Sequence, residues 1–361
     1  MKNIIISGDN VKGLKYLLND RNLKGRIDLV YIDPPFATNG RFTITDGRAS
    51  TISNSRNGDI AYSDKLTGKE FIEFLRERLI LLKALLSKQG SIYLHIDYKI
   101  GHYVKIMMDE VLGIENFRND ITRIKCNPKN FKRTGYGNIK DLILFYSKSS
   151  KPIWNEPKEK YTEKDLEKLF PKNKHGRRYT TVPIHAPGET ENGKSNQPFK
   201  GEMPPKGRHW RTNVETLEQW DRDGLIEWSK TNNPRKIIFA DEREGKRVQD
   251  IWGYKDPQYP VYPTEKNPDM LGMIIKTSSN PGSIVLDCFC GSGTALKSAH
   301  LLNRNWIGID QSEYAIKASI KKIEGLEASL LMPKPKYELI NLNYLSESLR
   351  LNLSADSGVG K

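Results

Sequence analysis

Cysteine is scarce in this chain, with three in 361 residues. So few thiols exclude a disulfide scaffold and favour a reducing compartment, so we expect a cytoplasmic protein. No apolar run approaches the roughly 20 residues that cross a bilayer, which excludes a transmembrane helix. The apolar stretch near the start, Ile4–Ile6, is too short for a secretory signal and is expected to form a strand.

Acidic residues are also in deficit, with 44 Asp and Glu against 58 Lys and Arg and a formal net charge of +14. This excess of positive charge indicates a polyanionic partner, most simply nucleic acid. The length fits about two domains of roughly 100–200 residues each.

Short buried-type strands alternate with amphipathic helices along most of the chain. Strands are predicted at 4–6, 28–33, 91–96, 141–146, 283–287 and 305–310, and helices at 69–88, 102–112, 268–277, 294–303 and 312–324. Strands that alternate with helices of this length predict a mainly parallel sheet covered on both faces.

Two regions break the alternation. Residues 37–68 are rich in Gly, Ser, Thr and Asn and have no periodicity, which is typical of a lid, a binding loop or disorder. Between about 151 and 255, Pro, Gly and charged residues interrupt every apolar run, which predicts an inserted region with a separate role.

A glycine turn follows the strand that ends at Asp287. The segment Cys288-Phe289-Cys290-Gly291-Ser292-Gly293-Thr294 then opens a helix. Glycines let the backbone turn sharply and approach a ligand, and a helix N-terminus offers free N–H groups. Asp310 ends the next strand about 20 residues on, the placement of a carboxylate that bonds ribose hydroxyls. An ordinary strand–turn–helix junction is the alternative interpretation of the glycines.

A second pattern, Asp33-Pro34-Pro35-Phe36, follows the strand at 28–33. An acid at the carboxyl end of such a strand faces the ligand crevice of an α/β sheet. The prolines withhold their N–H groups, which leaves carbonyl oxygens and the carboxylate as hydrogen-bond acceptors beside an aromatic face. This set suits a planar ring with an exocyclic amine, although a proline-terminated strand would carry the same residues without that role.

Together, the two patterns resemble the amino-methylating DNA methyltransferases that use S-adenosylmethionine. The hallmarks of that family are F-x-G-x-G and [D/N/S]-P-P-[Y/F/W], here Phe289–Gly293 and Asp33–Phe36. The catalytic motif precedes the cofactor motif, as in the circularly permuted β group. Residues 205–211 and 249–252 are also similar, more loosely, to type III modification subunits.

This resemblance implies an α/β fold, namely a Rossmann-like, seven-stranded methyltransferase sheet that is circularly permuted and carries an inserted target-recognition region. The implied domains are a catalytic half, a recognition insert, a cofactor-binding half and a C-terminal tail. Their boundaries are 1–150, 151–255, 256–330 and 331–361.

The resemblance also assigns site residues. The catalytic set is Asp33, Pro34, Pro35 and Phe36, with Phe36 stacking on the target base. The set for the cofactor, S-adenosylmethionine, is Asp9, Thr264, Lys266, Asp287, Phe289, Cys290, Gly291, Ser292, Gly293, Thr294 and Asp310. No metal site is expected, because Cys288 and Cys290 lack a second cysteine pair. His95, at the end of a strand, is interpreted as structural.

Basic residues next to these motifs are candidates for DNA contact. Residues 118–151 carry nine cations and two acids, and 206–211 combine cations with a tryptophan. The candidates are Arg123, Lys125, Lys129, Lys132, Arg133, Lys206, Arg208, Trp210 and Arg211. Phosphate contact and base contact are the functional interpretations, and a solvated charged face is the alternative.

The implied activity is transfer of a methyl group to the N6 amine of a flipped adenine in double-stranded DNA, in a restriction-modification system. The first residue of the catalytic motif, Asp33, favours adenine over cytosine in this family. A cytosine-N4 enzyme and a non-catalytic DNA-binding subunit are the alternatives. Expected partners are duplex DNA, a second copy of the chain and a cognate restriction endonuclease, with no membrane.

Overall fold

The computed structural model describes residues 2–35, 41–45, 48–51, 59–63, 68–128, 132, 134–188, 193–256, 265–327 and 334–342. The chain divides into two compact units. Unit 1 comprises Met1–Pro157 with Gln249–Lys361, and unit 2 comprises Lys158–Val248. The residue range predicted for the recognition insert, 151–255, thus includes the residues of unit 2.

Unit 1 is built on a nine-stranded sheet. Its strands are β1 (Asn3–Ser7), β2 (Ile27–Ile32), β6 (Leu86–Ile96), β7 (Phe117–Ile124), β8 (Lys140–Ser147), β17 (Ile251–Trp252), β18 (Ile284–Asp287), β19 (Asn305–Asp310) and β20 (Tyr337–Asn341). Their order is β17-β7-β8-β6-β2-β18-β19-β1-β20. β8 runs antiparallel to β6 and β7, and the other neighbours pair in parallel. Seven strands match the predicted methyltransferase sheet, and the short strands β17 and β20 extend its two edges.

The helices of unit 1 form two groups, and within each group neighbouring helices pack together. The first group is α1, α2 and α3, and the second is α6, α7 and α8. They span α1 (Asn10–Asn19), α2 (Gly68–Leu85), α3 (Tyr98–Leu112), α6 (Pro268–Ser278), α7 (Thr294–Leu301) and α8 (Glu313–Glu324). A 3₁₀ turn covers Ile114–Asn116.

The sheet of unit 1 is buried on both of its faces. Ile4 and Ile6 pack in one apolar core with Leu14, Leu75 and other residues of α1, α2 and α3. Ile5 points to the opposite face because side chains alternate along a strand, and it is buried as well. A sheet covered on both faces explains why its central strands read as uninterrupted apolar runs.

Within unit 1, the structure differs from the sequence prediction over residues 37–68 and at the end of the helix predicted over 69–88. Residues 37–68, predicted without regular structure, contain a small antiparallel sheet of β3 (Arg41–Thr45), β4 (Arg48–Thr51) and β5 (Asp59–Ser63). The helix predicted over 69–88 ends at Leu85, because Leu86 pairs with Ile27 of β2 and starts a strand instead.

Unit 2 has a four-stranded antiparallel sheet in the order β10-β11-β15-β14. The strands of unit 2 as a whole are β9 (Lys158–Glu159), β10 (Lys172–Lys174), β11 (Arg177–Pro183), β12 (His185–Pro187), β13 (Arg208–Trp210), β14 (Ile226–Trp228), β15 (Pro234–Phe239) and β16 (Lys246–Arg247). Its helices are α4 (Glu163–Leu169) and α5 (Val214–Arg222), with a 3₁₀ turn at Ala240–Glu242. β12 pairs with β13, and β9 with β16.

No helix in the described parts of the chain is both long enough and apolar enough to cross a membrane.

Candidate active site

The two sequence patterns meet at one point of the sheet. β18 and β2 are parallel neighbours, with Leu286 beside Val30. From β18 the chain continues to β19 on one side, and from β2 it continues to β6 on the other. This is a topological switch point, where ligands bind outside the carboxyl ends of the strands in open α/β sheets. The Asp33–Pro35 segment and the Cys288–Thr294 turn both follow these strand ends.

The backbone of the glycine turn has a conformation that disfavours residues with a side chain at Gly291 and Gly293. Gly291 has φ +50° and Gly293 has φ +74°, both in the left-handed region. A Cβ on Gly293 would lie 2.8 Å from Ser319 Oγ. Gly293 is also the N-cap residue of α7, so the helix N-terminus opens directly onto the turn.

Asp310 supports this turn from the end of β19. Its Oδ2 accepts a hydrogen bond from the Gly291 N–H at 2.9 Å, and its Oδ1 accepts one from the Ser312 N–H at 2.9 Å. Burial raises the pKa of Asp310, and these backbone donors oppose the shift. Each carboxylate oxygen keeps a further lone pair for a ligand hydroxyl.

Asp287 is buried between the two motifs. Its Oδ1 accepts a hydrogen bond from the Phe289 N–H at 2.9 Å. Burial raises the pKa of Asp287 well above its ordinary value, and the negative charges of Asp33 and Asp310 raise it further. Three carboxyl groups from three neighbouring strand ends therefore interact at this edge.

Asp9 lies at the start of α1, where its carboxylate accepts the Lys12 N–H at 3.0 Å. Arg78 of α2 approaches Asp9, with Nη2 3.6 Å from Asp9 Oδ2. Arg78 Nε also donates to Asn10 Oδ1 at 2.7 Å, and Asn10 Nδ2 donates to the Cys288 carbonyl at 3.1 Å. Arg78 and Asn10 thereby connect Asp9 with the glycine turn.

Sequence reasoning missed Arg78. The signal was present, because Arg78 lies one turn after the buried Leu75 on the face of α2 that packs in the core. A cation at a buried position of an amphipathic helix has to be paired, and that requirement points to a nearby acidic site.

Lys322 of α8 binds the other side of the turn. Its Nζ donates to Ser292 Oγ at 2.9 Å and to Thr294 Oγ1 at 2.8 Å, and it also pairs with Glu265. Burial lowers the pKa of Lys322, and the hydrogen bond to Glu265 opposes that shift. Lys322 was not predicted, because it lies almost 30 residues beyond the turn it contacts.

Asp33 is flanked by two basic side chains. Lys266 Nζ lies 2.7 Å from Asp33 Oδ2, and His95 Nδ1 lies 3.4 Å from Oδ1. Lys266 was assigned to the cofactor and His95 to a structural role, yet both contact the predicted catalytic carboxylate. Pro34 is buried and Pro35 half-buried. Phe36 and Thr264 lie outside the described residues.

Arg123 contradicts its assignment to DNA contact. Its side chain is 0% exposed, Nε donates to the Tyr254 carbonyl at 2.9 Å, and the guanidinium pairs with Asp256. A guanidinium enclosed in this way does not reach a phosphate. Lys125 is largely engaged inside the fold as well, with Nζ 2.6 Å from Asp141 Oδ1.

Trp210 of β13 was also predicted to contact DNA, and the structure contradicts this. It is 1% exposed, forms the core of unit 2 with Ile184, Phe199 and Leu217, and donates from Nε1 to the Gln197 carbonyl at 2.9 Å. An indole buried and bonded in this way cannot stack on a base without unfolding its unit.

The remaining DNA candidates lie at the surface where the structure describes them. Arg208 and Arg211 are exposed and flank His185, with 3.1 Å from Arg208 Nη1 to His185 Nδ1 and 3.2 Å from Arg211 Nε to the His185 carbonyl. Lys132 and Lys206 are exposed too. Lys129 and Arg133 lie outside the described residues.

Among the residues that the structure describes, no group of three or more His, Cys, Asp or Glu side chains could hold a metal ion.

Comparison of the sequence with known proteins identifies DNA methyltransferases as its relatives. A family model for DNA methylases that modify N6 or N4 amines matches residues 27–321. The type II methyltransferase M.EcaI of Enterobacter cloacae is 39% identical over 328 residues, which cover 89% of this chain and 69% of that protein. The probable type III HindVI Mod subunit of Haemophilus influenzae is 24% identical over 397 residues, 90% of this chain and 50% of the subunit. This chain therefore spans about half the length of that subunit.

Among solved structures, the M1.HpyAVI–SAM complex superposes with a TM-score of 0.48 at 18% identity. The superposition covers 90% of this chain and 99% of the other.

Proposed function

The chain belongs to the DNA methylase family that modifies the exocyclic amines of bases, and on this premise we propose that it transfers a methyl group from S-adenosylmethionine to the N6 amine of adenine in double-stranded DNA. The observation that carries this proposal is the position of Asp33. Its carboxylate lies beside the switch point of the sheet, held by Lys266, on the strand next to the glycine turn.

The residues around the turn suit S-adenosylmethionine, the cofactor of this family. The left-handed glycines leave open backbone, and a side chain at Gly293 would collide with Ser319. The carboxyls of Asp310 and Asp9 supply acceptors for ribose hydroxyls and an adenine amine. When bound, the cofactor supplies a methyl group activated by a sulfonium. We propose that the following residues hold it: Asp9, Thr264, Lys266, Asp287, Phe289, Cys290, Gly291, Ser292, Gly293, Thr294 and Asp310.

For methyl transfer to occur, the protein has to make an aromatic amine more nucleophilic. The lone pair of such an amine is delocalised into the base. Asp33 and the Pro34 carbonyl can each accept one N–H hydrogen bond from the amine, which draws the nitrogen toward tetrahedral geometry and frees the lone pair. Fixed orientation of this kind lowers a barrier by up to roughly 7–11 kcal/mol.

A base inside a duplex cannot reach a site at the end of a sheet, so we propose that the target is flipped out of the helix, with Phe36 stacking on it. We also propose that unit 2 is the target-recognition region and that its exposed Lys206, Arg208 and Arg211, together with Lys132 of unit 1, contact phosphates. A homodimer and a cognate restriction endonuclease stay predictions from the family resemblance.

The test is single-turnover transfer of a labelled methyl group from S-adenosylmethionine to duplex DNA, followed by digestion and identification of the modified nucleoside. We expect N6-methyladenine. N4-methylcytosine would move the target to cytosine, and DNA binding without transfer would indicate a non-catalytic subunit.

Two variants make this test specific to the site. Asp33→Asn keeps the size of the side chain but weakens it as an acceptor, so the rate should fall by at least about 100-fold. The matched change Asp20→Asn, at an exposed residue after α1, should leave the rate unchanged. Equal activity of both variants would contradict the role of Asp33.

A further inference from the structure

A buried chain of polar side chains extends from Asp33 away from the ligand crevice. His95 Nδ1 lies 3.4 Å from Asp33 Oδ1, and His95 Nε2 lies 3.2 Å from Asp141 Oδ2. His95 is 0% exposed. A fully buried histidine between two carboxylates, one of them at the reacting centre, requires a physical explanation that a core-packing role does not supply.

The sheet register creates this alignment. β2 and β6 are parallel, with Ile32 beside Leu94, so the next residues along the two strands are Asp33 and His95. On the far side of β6 runs the antiparallel strand β8, which brings Asp141 to the same edge. The contact between Asp33 and His95 therefore follows from strand pairing and not from a mobile loop.

The hydrogen bonds define the protonation state of His95. Burial alone would raise the pKa of Asp141, but hydrogen bonds from His95 and Lys125 outweigh it and hold that pKa well below its ordinary value. An ionised Asp141 only accepts, so His95 Nε2 carries a hydrogen and donates to it. In the neutral ring Nδ1 is then an acceptor, and it lies 3.2 Å from the Tyr31 hydroxyl as well as beside Asp33.

Charged and titratable groups surround this ring from each neighbouring element. Asp33 and Tyr31 come from β2 and its end, Asp141 from β8, and Lys266 from the segment before α6. Arg123 of β7 lies behind Asp141, with Nη1 3.7 Å from Oδ2. Burial lowers the pKa of His95, and the two carboxylates oppose that shift. The ring is therefore neutral at physiological pH and able to accept one proton.

We propose that His95 is the proton acceptor behind Asp33: it takes from Asp33 the proton that the target amine loses on methylation, and Asp141 stabilises the resulting imidazolium. This inference rests on the proposed function. It makes His95 a relay residue that acts through Asp33 and does not touch the base.

The step balances. The amine nitrogen forms a bond to the methyl carbon, and the bond between that carbon and the donor sulfur breaks, leaving its electron pair on sulfur. One amine N–H bond then breaks, its electron pair stays on the methylated nitrogen, and the proton passes to the Asp33 carboxylate. Rotation of that carboxyl group brings the proton to the Oδ1 position, from which His95 Nδ1 takes it. The Tyr31 hydroxyl, whose pKa is raised by burial, keeps its own proton and can rotate to accept from the new Nδ1–H. The separation between Asp33 Oδ1 and His95 Nδ1 is 3.4 Å, and long catalytic hydrogen bonds of a free enzyme often tighten when the substrate binds.

The first experiment compares His95→Gln with His102→Gln, the same change at an exposed residue of α3. Glutamine can still donate to Asp141 but cannot accept a proton. In single-turnover assays we expect His95→Gln to slow methyl transfer by roughly 10–100-fold. Kd values for S-adenosylmethionine and DNA should stay within about twofold, and His102→Gln should behave as the unmodified chain does.

The pH profile separates a relay from a structural role. In the unmodified chain, protonation of His95 before reaction blocks the relay, so the rate should fall as pH drops through the pKa of His95, below its ordinary value of about 6.5. His95→Gln should lose this acidic limb. A lower rate with the limb retained would mean that His95 only supports the fold, and it would overturn the proposal.

A measurement without turnover covers the case in which His95→Gln does not fold. In the free unmodified chain, ¹⁵N NMR of the histidine rings should show His95 with its hydrogen on Nε2. Asp33→Asn should lower the pKa of His95, because the Asp33 carboxylate raises it. A hydrogen on Nδ1, or a pKa unchanged by Asp33→Asn, would contradict the relay. If the unmodified chain transfers no methyl group to a DNA amine, the proposed function fails instead.

Discussion

For Arg123, the role predicted from the sequence differs from the role that the structure shows. In the sequence it is one of nine cations in a basic stretch. In the structure it is buried, and its guanidinium contacts Asp256 and Asp141. Its charge is therefore paired inside unit 1 and is not available to DNA.

At this scale we predict that Arg123→Gln destabilises unit 1 by about 1–3 kcal/mol, because the buried Asp141 and the Tyr254 carbonyl lose the guanidinium that contacts them. Urea denaturation of the full chain measures the loss. Lys132→Gln, the same kind of change at an exposed cation, should alter the free energy of unfolding by less than about 0.5 kcal/mol. Similar stability of the two variants would mean that the ion pairs of Arg123 contribute little.

At the scale of single elements, the turn between β18 and α7 depends on backbone conformation more than on side-chain chemistry. The segment Phe289–Gly293 contains a thiol, a hydroxyl and an aromatic ring, but its shape comes from the positive φ angles of Gly291 and Gly293. Asp310 and Lys322 then hold that shape from β19 and α8.

We predict that Gly293→Ala costs roughly 1–2 kcal/mol in left-handed strain, in addition to the contact with Ser319, and weakens cofactor binding. The matched control is Gly272→Ala, in the interior of α6 with open space around it. That change should stabilise the chain by up to about 1 kcal/mol. Thermal unfolding and calorimetric titration with S-adenosylmethionine measure the two effects, and unchanged affinity in Gly293→Ala would argue against the turn as the cofactor site.

Other elements were harder to predict. β7, Phe117–Ile124, largely falls within the stretch that the sequence analysis treats as basic, and five of its eight residues are polar. It is a strand because β8 pairs with it along its length, from Phe117 to Ile124. Long-range pairing of this kind leaves only a weak local pattern in an edge region of a sheet.

At the scale of the whole molecule, the net charge of +14 does not say which cations are available to DNA, because that depends on their exposure and their partners. Some cations are paired with acids within their own unit, as Arg177 is with Asp241 and Glu242. Others, such as Arg208, are exposed beside a histidine and not beside an acid in the contacts described. The two kinds should differ in their effect on DNA binding.

We predict that Arg208→Gln weakens binding to any duplex sequence and lowers the slope of log K against log salt concentration by about 1, as loss of one phosphate contact does. Arg177→Gln should leave the slope unchanged, because its charge is already balanced. Fluorescence anisotropy at several salt concentrations measures both, and equal slopes for the two variants would remove Arg208 from the DNA-binding surface.

The sequence alone determined the fold class and the positions of the two motifs. Apolar runs such as 28–33 and 283–287, each followed by an acid and a turn, are local patterns, and local patterns persist in the order of residues. The same patterns carried the family resemblance, and the DNA methylase family was confirmed by comparison with known proteins.

Only the tertiary structure decided which side chains meet. Strand pairing placed His95 beside Asp33 and Asp141, helix packing placed Arg78 beside Asp9, and burial withdrew Arg123 and Trp210 from the surface. These contacts join residues that lie tens of positions apart in the sequence. A sequence pattern reports the chemistry of a residue, whereas its partners and its exposure depend on sheet register and packing, which form only when the whole chain folds.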